Sequence, residues 1–347
     1  MATNLLTYPR FLGIYLRLRL LDLTSRFPPL PGGVLDEQTA LMRQAQAVLG
    51  ETFLDQGSPV QARTAFEASF RTLKGAGGLF EKVAAVRDLV IPGPAGAIPA
   101  RLYRPGGDRA YPLFVLLHGG GWVIGSLASA DNMARFLCKR VPCTVLSVDY
   151  RLAPEHPFPA AVEDAFAAVQ WAAASAAELA GDPERLLVGG DSAGGTLSAV
   201  VAQMARQAGG PRLAGQVLFY PATDCASLDT PSFKEFGDKS FGLPKRDVDW
   251  FLDQYVPDPR DRRDPRVSPL LAMEFHNLPP ALVVTAEFDV LRDEGEAYAG
   301  CLEEAGVPVK LMRCNGMVHG FLSLTGLIRR ASGYFDRAVT EIRRLAI

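Results

Sequence analysis

Short apolar runs recur through the chain after residue 110, at 113–117, 144–148, 186–188, 217–219, 281–284 and 309–312. Several are apolar without alternation, the pattern of strands buried on both faces of a parallel sheet. Between them apolar residues return at helical spacing, as in Val162, Phe166, Val169 and Ala173. The chain ends on another such stripe, Ala331, Phe335, Ala338, Ile342 and Leu345. Strand and helix in alternation predict a doubly wound α/β sheet. Ahead of it, 86–92 and 98–103 flank a Gly-Pro-rich turn at 93–96 and predict a hairpin at the sheet edge.

Two stretches break this rhythm. The first 80 residues read as helices. Ser58, Pro59 and Gln61 form a capping-box start with Pro at the first helical position, followed by Phe66, Phe70 and Leu73 at helical spacing. Upstream, Asp36 is placed to cap a helix with the stripe Leu41, Ala45 and Val48, and a Pro-Pro and Gly-Gly cluster at 27–33 separates it from a Leu-rich start. From 223 to 272 no strand pattern occurs, but aromatics and prolines are frequent. Long loops without structure are uncommon inside compact domains, so a helical insertion over one end of the sheet is expected. The expected organisation is N-terminal helices (1–80) contributing to a cap, an α/β domain (81–222 and 273–347) and a cap insertion (223–272).

Composition narrows the picture. The formal net charge of −2 over 347 residues gives no electrostatic footprint for nucleic acid or anionic lipid. The five Cys are odd in number and lack a C-x-x-C pair, which reads as reduced thiols in a cytoplasmic protein. Residues 11–23 are Leu-rich, but Arg17, Arg19 and Asp22 interrupt the run, and neither a membrane span nor a signal peptide is expected. Residues 1–35 are instead expected to join the cap or a contact between the subunits of a homodimer.

The strongest chemical signal is Gly190-Asp191-Ser192-Ala193-Gly194, between the strand at 186–188 and a helical run from 193 to 208. In that setting G-x-S-x-G forms a nucleophile elbow, a sharp turn that strains the Ser backbone and leaves only glycines room on either side. The second is His118-Gly119-Gly120-Gly121-Trp122, directly after the run at 113–117. Consecutive glycines expose N–H groups unshielded by side chains, as an oxyanion hole requires. A dinucleotide-binding reading fails because Ile124 stands where the third glycine belongs. A nucleophilic Ser needs a base and an orienting acid. Of the four His, His118 is expected to brace the glycine loop, while His156 and His276 read as structural or exposed. His319 follows the last strand and is the natural base in the order Ser, Asp or Glu, His. Asp289 follows the strand at 281–284 and fits the acid; Glu287, Asp293 and Glu294 are rivals, and spacing alone leaves Glu287 open.

Together these motifs resemble the bacterial hormone-sensitive-lipase-like esterases that carry G-D-S-A-G. Similar stretches are Asp149-Tyr150-Arg151-Leu152-Ala153-Pro154-Glu155-His156-Pro157-Phe158-Pro159, residues 262–270, and 289–294. Where the family pattern has Asp-Pro-Leu this chain has Asp289-Val290-Leu291, which leaves the acid in place. The resemblance covers roughly 36–345 and favours Asp289 over Glu287. It implies an α/β-hydrolase fold: a mostly parallel eight-stranded sheet with helices on both faces, a helical cap and no cofactor. It also implies oxyanion donors among Gly119, Gly120, Gly121 and Ala193, with Gly120 and Gly121 preferred within the loop.

The expected activity is hydrolysis of a small-molecule carboxylic ester through an acyl-enzyme on Ser192, with acyl chains of about four to eight carbons favoured. Without H-E-x-x-H spacing, no metal is expected. The rivals are an amidase, deacetylase or peptidase on the same triad, and a non-catalytic small-molecule-binding member of the fold.

Overall fold

Six apolar runs and the N-terminal hairpin assemble into one sheet. In the computed structural model, which describes residues 32–49, 54–75, 81–107, 109–238 and 242–347, its strands are β1 (Ala85–Gly93), β2 (Gly96–Arg104), β3 (Tyr111–Leu117), β4 (Thr144–Val148), β5 (Gly181–Asp191), β6 (Gly215–Phe219), β7 (Ala281–Phe288) and β8 (Val309–Val318). Their order is β1-β2-β4-β3-β5-β6-β7-β8, parallel throughout except at β2, which is antiparallel to both its neighbours. The hairpin register pairs Val86 with Tyr103 and Ile91 with Ile98, and β1 forms the sheet edge as expected. Every residue of β3, β4 and β6 is buried, which explains why their sequences show no polar alternation.

Helices cover both faces. On one lie α4 (Ala160–Ala174) and α5 (Ala193–Gln207), whose Val162, Val169, Leu197 and Val200 pack on Leu113, Val115 and Leu117 of β3. On the other lie α3 (Leu127–Arg140) and α9 (Arg329–Leu345), whose Leu137, Phe335 and Ala338 meet Phe114 and Leu116. Successive β3 side chains thus serve opposite cores, each fully buried Leu or Phe contributing about 1.5–3 kcal/mol. Helix α8 (Arg292–Glu304) follows β7.

The N-terminal helices α1 (Glu37–Leu49) and α2 (Pro59–Gly75) start where the sequence places them. Ser58 and Gln61 exchange the two bonds of a capping box. Asp36 Oδ1 accepts from the Gln38 and Thr39 N–H groups, and its Oδ2 accepts from Arg330 Nε at 2.9 Å. The Asp36 N–H donates to the Gly316 carbonyl, three residues before His319. The side chains of Ala45, Val48, Phe70 and Leu73 and the run at 11–23 lie outside what the structure describes. Asp36→Ala is expected to lower unfolding stability by about 2 kcal/mol, since a helix cap and a buried ionic partner are lost together. Urea denaturation reads this, and an unchanged midpoint would show that α1 is not anchored through this carboxylate.

The insertion at 223–272 is helical, with α6 (Pro231–Phe236), α7 (Lys245–Tyr255) and two short 3₁₀ turns. Ser232 fastens α6 to the segment after β7: its hydroxyl donates to the Val290 carbonyl at 2.7 Å and its N–H donates to Asp293 Oδ2 at 2.8 Å. Phe233, Phe236, Phe251 and Tyr255 are buried. Arg63 of α2 reaches across to the Val123 and Ala153 carbonyls and pairs with Glu155, tying the N-terminal helices to the loop behind the glycines. Among the described residues no helix is long and apolar enough to cross a membrane.

Candidate active site

Strand β5 ends at Asp191 and α5 begins at Ala193, so Ser192 alone forms the turn, with φ +53° and ψ −123°. That positive φ is the strained conformation a nucleophile elbow demands. A Cβ on Gly190 or Gly194 would overlap the Leu117 carbonyl oxygen, so no larger residue fits where the helix crosses the neighbouring strand. The Ser192 N–H is held by the Phe219 carbonyl at 2.8 Å.

The ends of β7 and β8 supply the partners. His319 Nε2 lies 3.0 Å from Ser192 Oγ, and His319 Nδ1 lies 2.7 Å from Asp289 Oδ2. Asp289 is buried, and its Oδ1 accepts from the Leu291 N–H at 3.0 Å, which fixes the carboxylate plane. The edge of the Tyr220 ring packs on the imidazole, with centroids 4.9 Å apart. The three rival acids are engaged elsewhere. Glu287 accepts from the Gly316 N–H and, through its other oxygen, from the Gly33 N–H. Asp293 pairs with Arg292 and holds Ser232, and Glu294 receives the Thr223 N–H. Of the four acids, Asp289 is the one bonded to His319.

The glycine loop sits opposite. Gly120 and Gly121 both have positive φ, +122° and +56°, and a Cβ on Gly121 would overlap the Phe251 ring. The loop's own bonds use the Gly120 carbonyl, which accepts from the Val123 and Ile124 N–H groups, and the Gly119 N–H, which donates to Asp191 Oδ1 at 2.9 Å. Gly119 was expected among the oxyanion donors; its N–H is occupied by Asp191 and leaves that set. Burial holds the Asp191 carboxyl above the usual carboxylate range.

His118 braces the loop as expected. Its Nδ1–H donates to the Gly119 carbonyl at 2.8 Å, its ring stacks on Tyr150, and the Tyr150 hydroxyl donates to the His118 carbonyl. Burial pushes its pKa below the ordinary histidine range, which keeps the ring neutral. His156 and His276 are exposed. Sequence reasoning missed Asp191 as the link from elbow to loop and Tyr220 against His319, while Phe251 is legible only as one of the insertion's aromatics able to line a pocket, not as the ring over Gly121. Asp191 carried a signal as the variable position inside the G-x-S-x-G motif.

Above Ser192 opens a cavity of about 770 Å³, within the usual size of a small-molecule site. The N-terminal helices contribute Met42 and Phe66 to its wall, the insertion contributes Phe251, and His319 lies at its base. A second cavity of about 30 Å³ also touches Ser192, on the side of Gly121 and Ala193.

Fold and site define a class. Residues 114–323 match the model of a family described as having the alpha/beta hydrolase fold, and the chain belongs to that family, in its hormone-sensitive-lipase-like branch. It is 51% identical over 264 residues to the carboxylic ester hydrolase LipN of Mycobacterium tuberculosis, covering 74% of this chain and 70% of that one. It is 41% identical over 278 residues to an ethyl acetate hydrolase of Pseudomonas putida, covering 78% of this chain and 85% of that one. Among solved structures it resembles a thermostable carboxylesterase cloned from a metagenomic library, with a TM-score of 0.81 at 42% identity over 84% of this chain and 99% of that one.

Proposed function

We propose that this chain, a carboxylic ester hydrolase, works through an acyl-enzyme on Ser192, with His319 as base and then acid and Asp289 as the orienting acid. The observation that carries the reading is the continuous hydrogen-bonded line from Ser192 Oγ through His319 to Asp289. In the first step Ser192 Oγ attacks the ester carbonyl carbon while His319 Nε2 takes the hydroxyl proton. The carbonyl oxygen becomes an oxyanion held by the Gly120, Gly121 and Ala193 N–H groups. Ala193 suits this because it opens α5, where the first N–H groups have no partner within the helix. The tetrahedral intermediate collapses, the C–O bond to the alcohol breaks, and His319 returns the proton to the leaving oxygen. Water then repeats the sequence on the acyl-enzyme, releasing the acid and restoring Ser192.

The two cavities suggest how the ester lies. His319 must protonate the leaving alcohol, so the alcohol belongs in the large cavity, which contains His319. The acyl group then enters the small one, beside Gly121 and Ala193. Each buried methylene adds at most about 0.8 kcal/mol, a gain that stops when the pocket is full. For nitrophenyl esters from acetate to palmitate, kcat/KM is therefore expected to peak at about six carbons or fewer. A maximum at palmitate would place the acyl chain in the large cavity instead. The N-terminal helices and the insertion are proposed to form a cap over this site.

Gly121→Ala is expected to lower kcat about 10²–10³-fold, the usual cost of one lost oxyanion donor, because the new Cβ and the Phe251 ring cannot share their space. Adding Phe251→Ala makes room and should recover part of the loss. Full activity in the single variant would remove Gly121 from the oxyanion site.

A further inference from the structure

Among the described residues, four border both the large and the small cavity: Gly121, Ser192, Leu243 and Phe251. The first two belong to the reacting site, so the side chains between the cavities are those of Leu243 and Phe251, both from the insertion. Helix α7 explains their position. Its Asp247 borders the large cavity alone, whereas Val248 and Leu252, one turn apart, border the small one alone. Phe251 lies one turn on from Asp247 and beside Leu252, so it stands on the ridge where these two faces of the helix meet. We propose that Leu243 and Phe251 form the wall between the alcohol and acyl subsites, and that Phe251 sets the longest acyl group the enzyme takes. This proposal rests on the acyl-enzyme reading, with the acyl group in the small cavity, and deepens it.

The wall is anchored at both ends of α7. Asp247 Oδ1 accepts the Leu54 N–H at 3.3 Å, which ties the helix start to the N-terminal region. At the helix end the Tyr255 carbonyl accepts the Phe158 N–H at 2.9 Å, and the Tyr255 ring stacks on Trp122 with centroids 4.5 Å apart. Phe251 itself is 8% exposed, and its ring lies where a Cβ on Gly121 would fall. The far side of the small cavity is closed by the buried Cys225, Leu252 and Leu291. A volume of about 30 Å³ holds only a few carbons, so a longer chain meets either that closed side or the Phe251 ring. Truncating Phe251 joins this space to the cavity of about 770 Å³. Each further methylene that finds apolar surface there gains up to about fourfold in kcat/KM.

The test uses the full chain and nitrophenyl esters from acetate to palmitate. In Phe251→Ala the kcat/KM ratio of decanoate to butanoate is expected to rise at least about tenfold over the wild type. Phe251→Leu should raise it less, and Leu243→Ala should raise it in the same direction and decides the matter if Phe251→Ala does not fold. A second readout separates a removed wall from a loosened helix. Once the subsites share one space, acyl chain and alcohol compete for it. The decanoate-to-butanoate ratio of the variant should then be several-fold smaller for naphthyl esters than for methyl esters, whereas a loosened helix raises both ratios alike. An unchanged ratio in the folded variants overturns the proposal, and so does a rise that ignores the size of the alcohol; both leave the acyl-enzyme reading standing. A wild-type maximum at palmitate overturns the placement of the acyl group and the wall together. Failure of the wild type to hydrolyse any of these esters overturns the acyl-enzyme reading itself.

Discussion

Ser192→Ala is expected to reduce kcat on activated esters by about 10⁴–10⁶-fold while the protein keeps its fold. In the proposed mechanism the hydroxyl oxygen forms the covalent bond, and His319 Nε2 lies 3.0 Å from it. Removing the oxygen leaves the oxyanion donors and the cavity in place, so the residual rate should be what binding and polarisation alone provide. Alanine also lacks no packing at this position, because the strained φ of +53° is imposed by the strand and helix on either side rather than by the side chain. The thermal midpoint should therefore change little, or rise slightly as a strained functional site loses a polar group. A variant that kept a tenth of the wild-type rate would move the nucleophile elsewhere.

Asp289→Asn is expected to lower kcat by about 10⁴-fold, and Glu287→Gln by far less. The carboxylate accepts the Nδ1–H of His319, which leaves Nε2 free to take the Ser192 proton. An amide can present its NH₂ to Nδ1 and stabilise the opposite tautomer, in which Nε2 already carries a hydrogen. The Leu291 N–H and the burial of Asp289 hold the group in place, so the Asn variant should keep the geometry and lose the function. Glu287 is bonded to the Gly316 and Gly33 N–H groups, and its replacement should appear in stability before it appears in rate. A larger kinetic effect at Glu287 would reassign the acid.

Much of this architecture is written locally in the chain. The strand at 144–148 has the bounds its sequence predicts, because a strand buried on both faces is mostly apolar and carries only small hydroxyl side chains, Thr144 and Ser147, besides. The Asp36 and Ser58 caps were legible for a similar reason, since a helix start needs its side-chain acceptor at a fixed offset. Strands β5 and β8 proved longer than their apolar cores. In β5 the charged stretch Asp182–Arg185 lies at the exposed start, and in β8 Arg313 and Asn315 interrupt the apolar run.

The site was legible as motifs but not as pairings. Choosing between Glu287 and Asp289 depended on β7, where the register against β8 shifts between Ala286 and Phe288, so simple alternation says nothing about which carboxylate turns toward His319. The loss of the Gly119 N–H to Asp191 joins residues 72 positions apart, which no local pattern records. Tyr220 reaches His319 only because β6 and β8 end on the same side of the sheet, and Phe251 covers Gly121 only because the insertion folds back over it.

The central claim is that Ser192 carries the acyl group. Intact-protein mass spectrometry after treatment with a fluorophosphonate, followed by peptide mapping, tests it directly, because the reagent phosphonylates an activated serine through the same attack and stays attached. A single adduct on the peptide containing Ser192, formed in step with loss of esterase activity and absent from the Ser192→Ala variant, is the predicted result. Inactivation with the adduct on any other residue, or an unlabelled protein that has lost its activity, would contradict it.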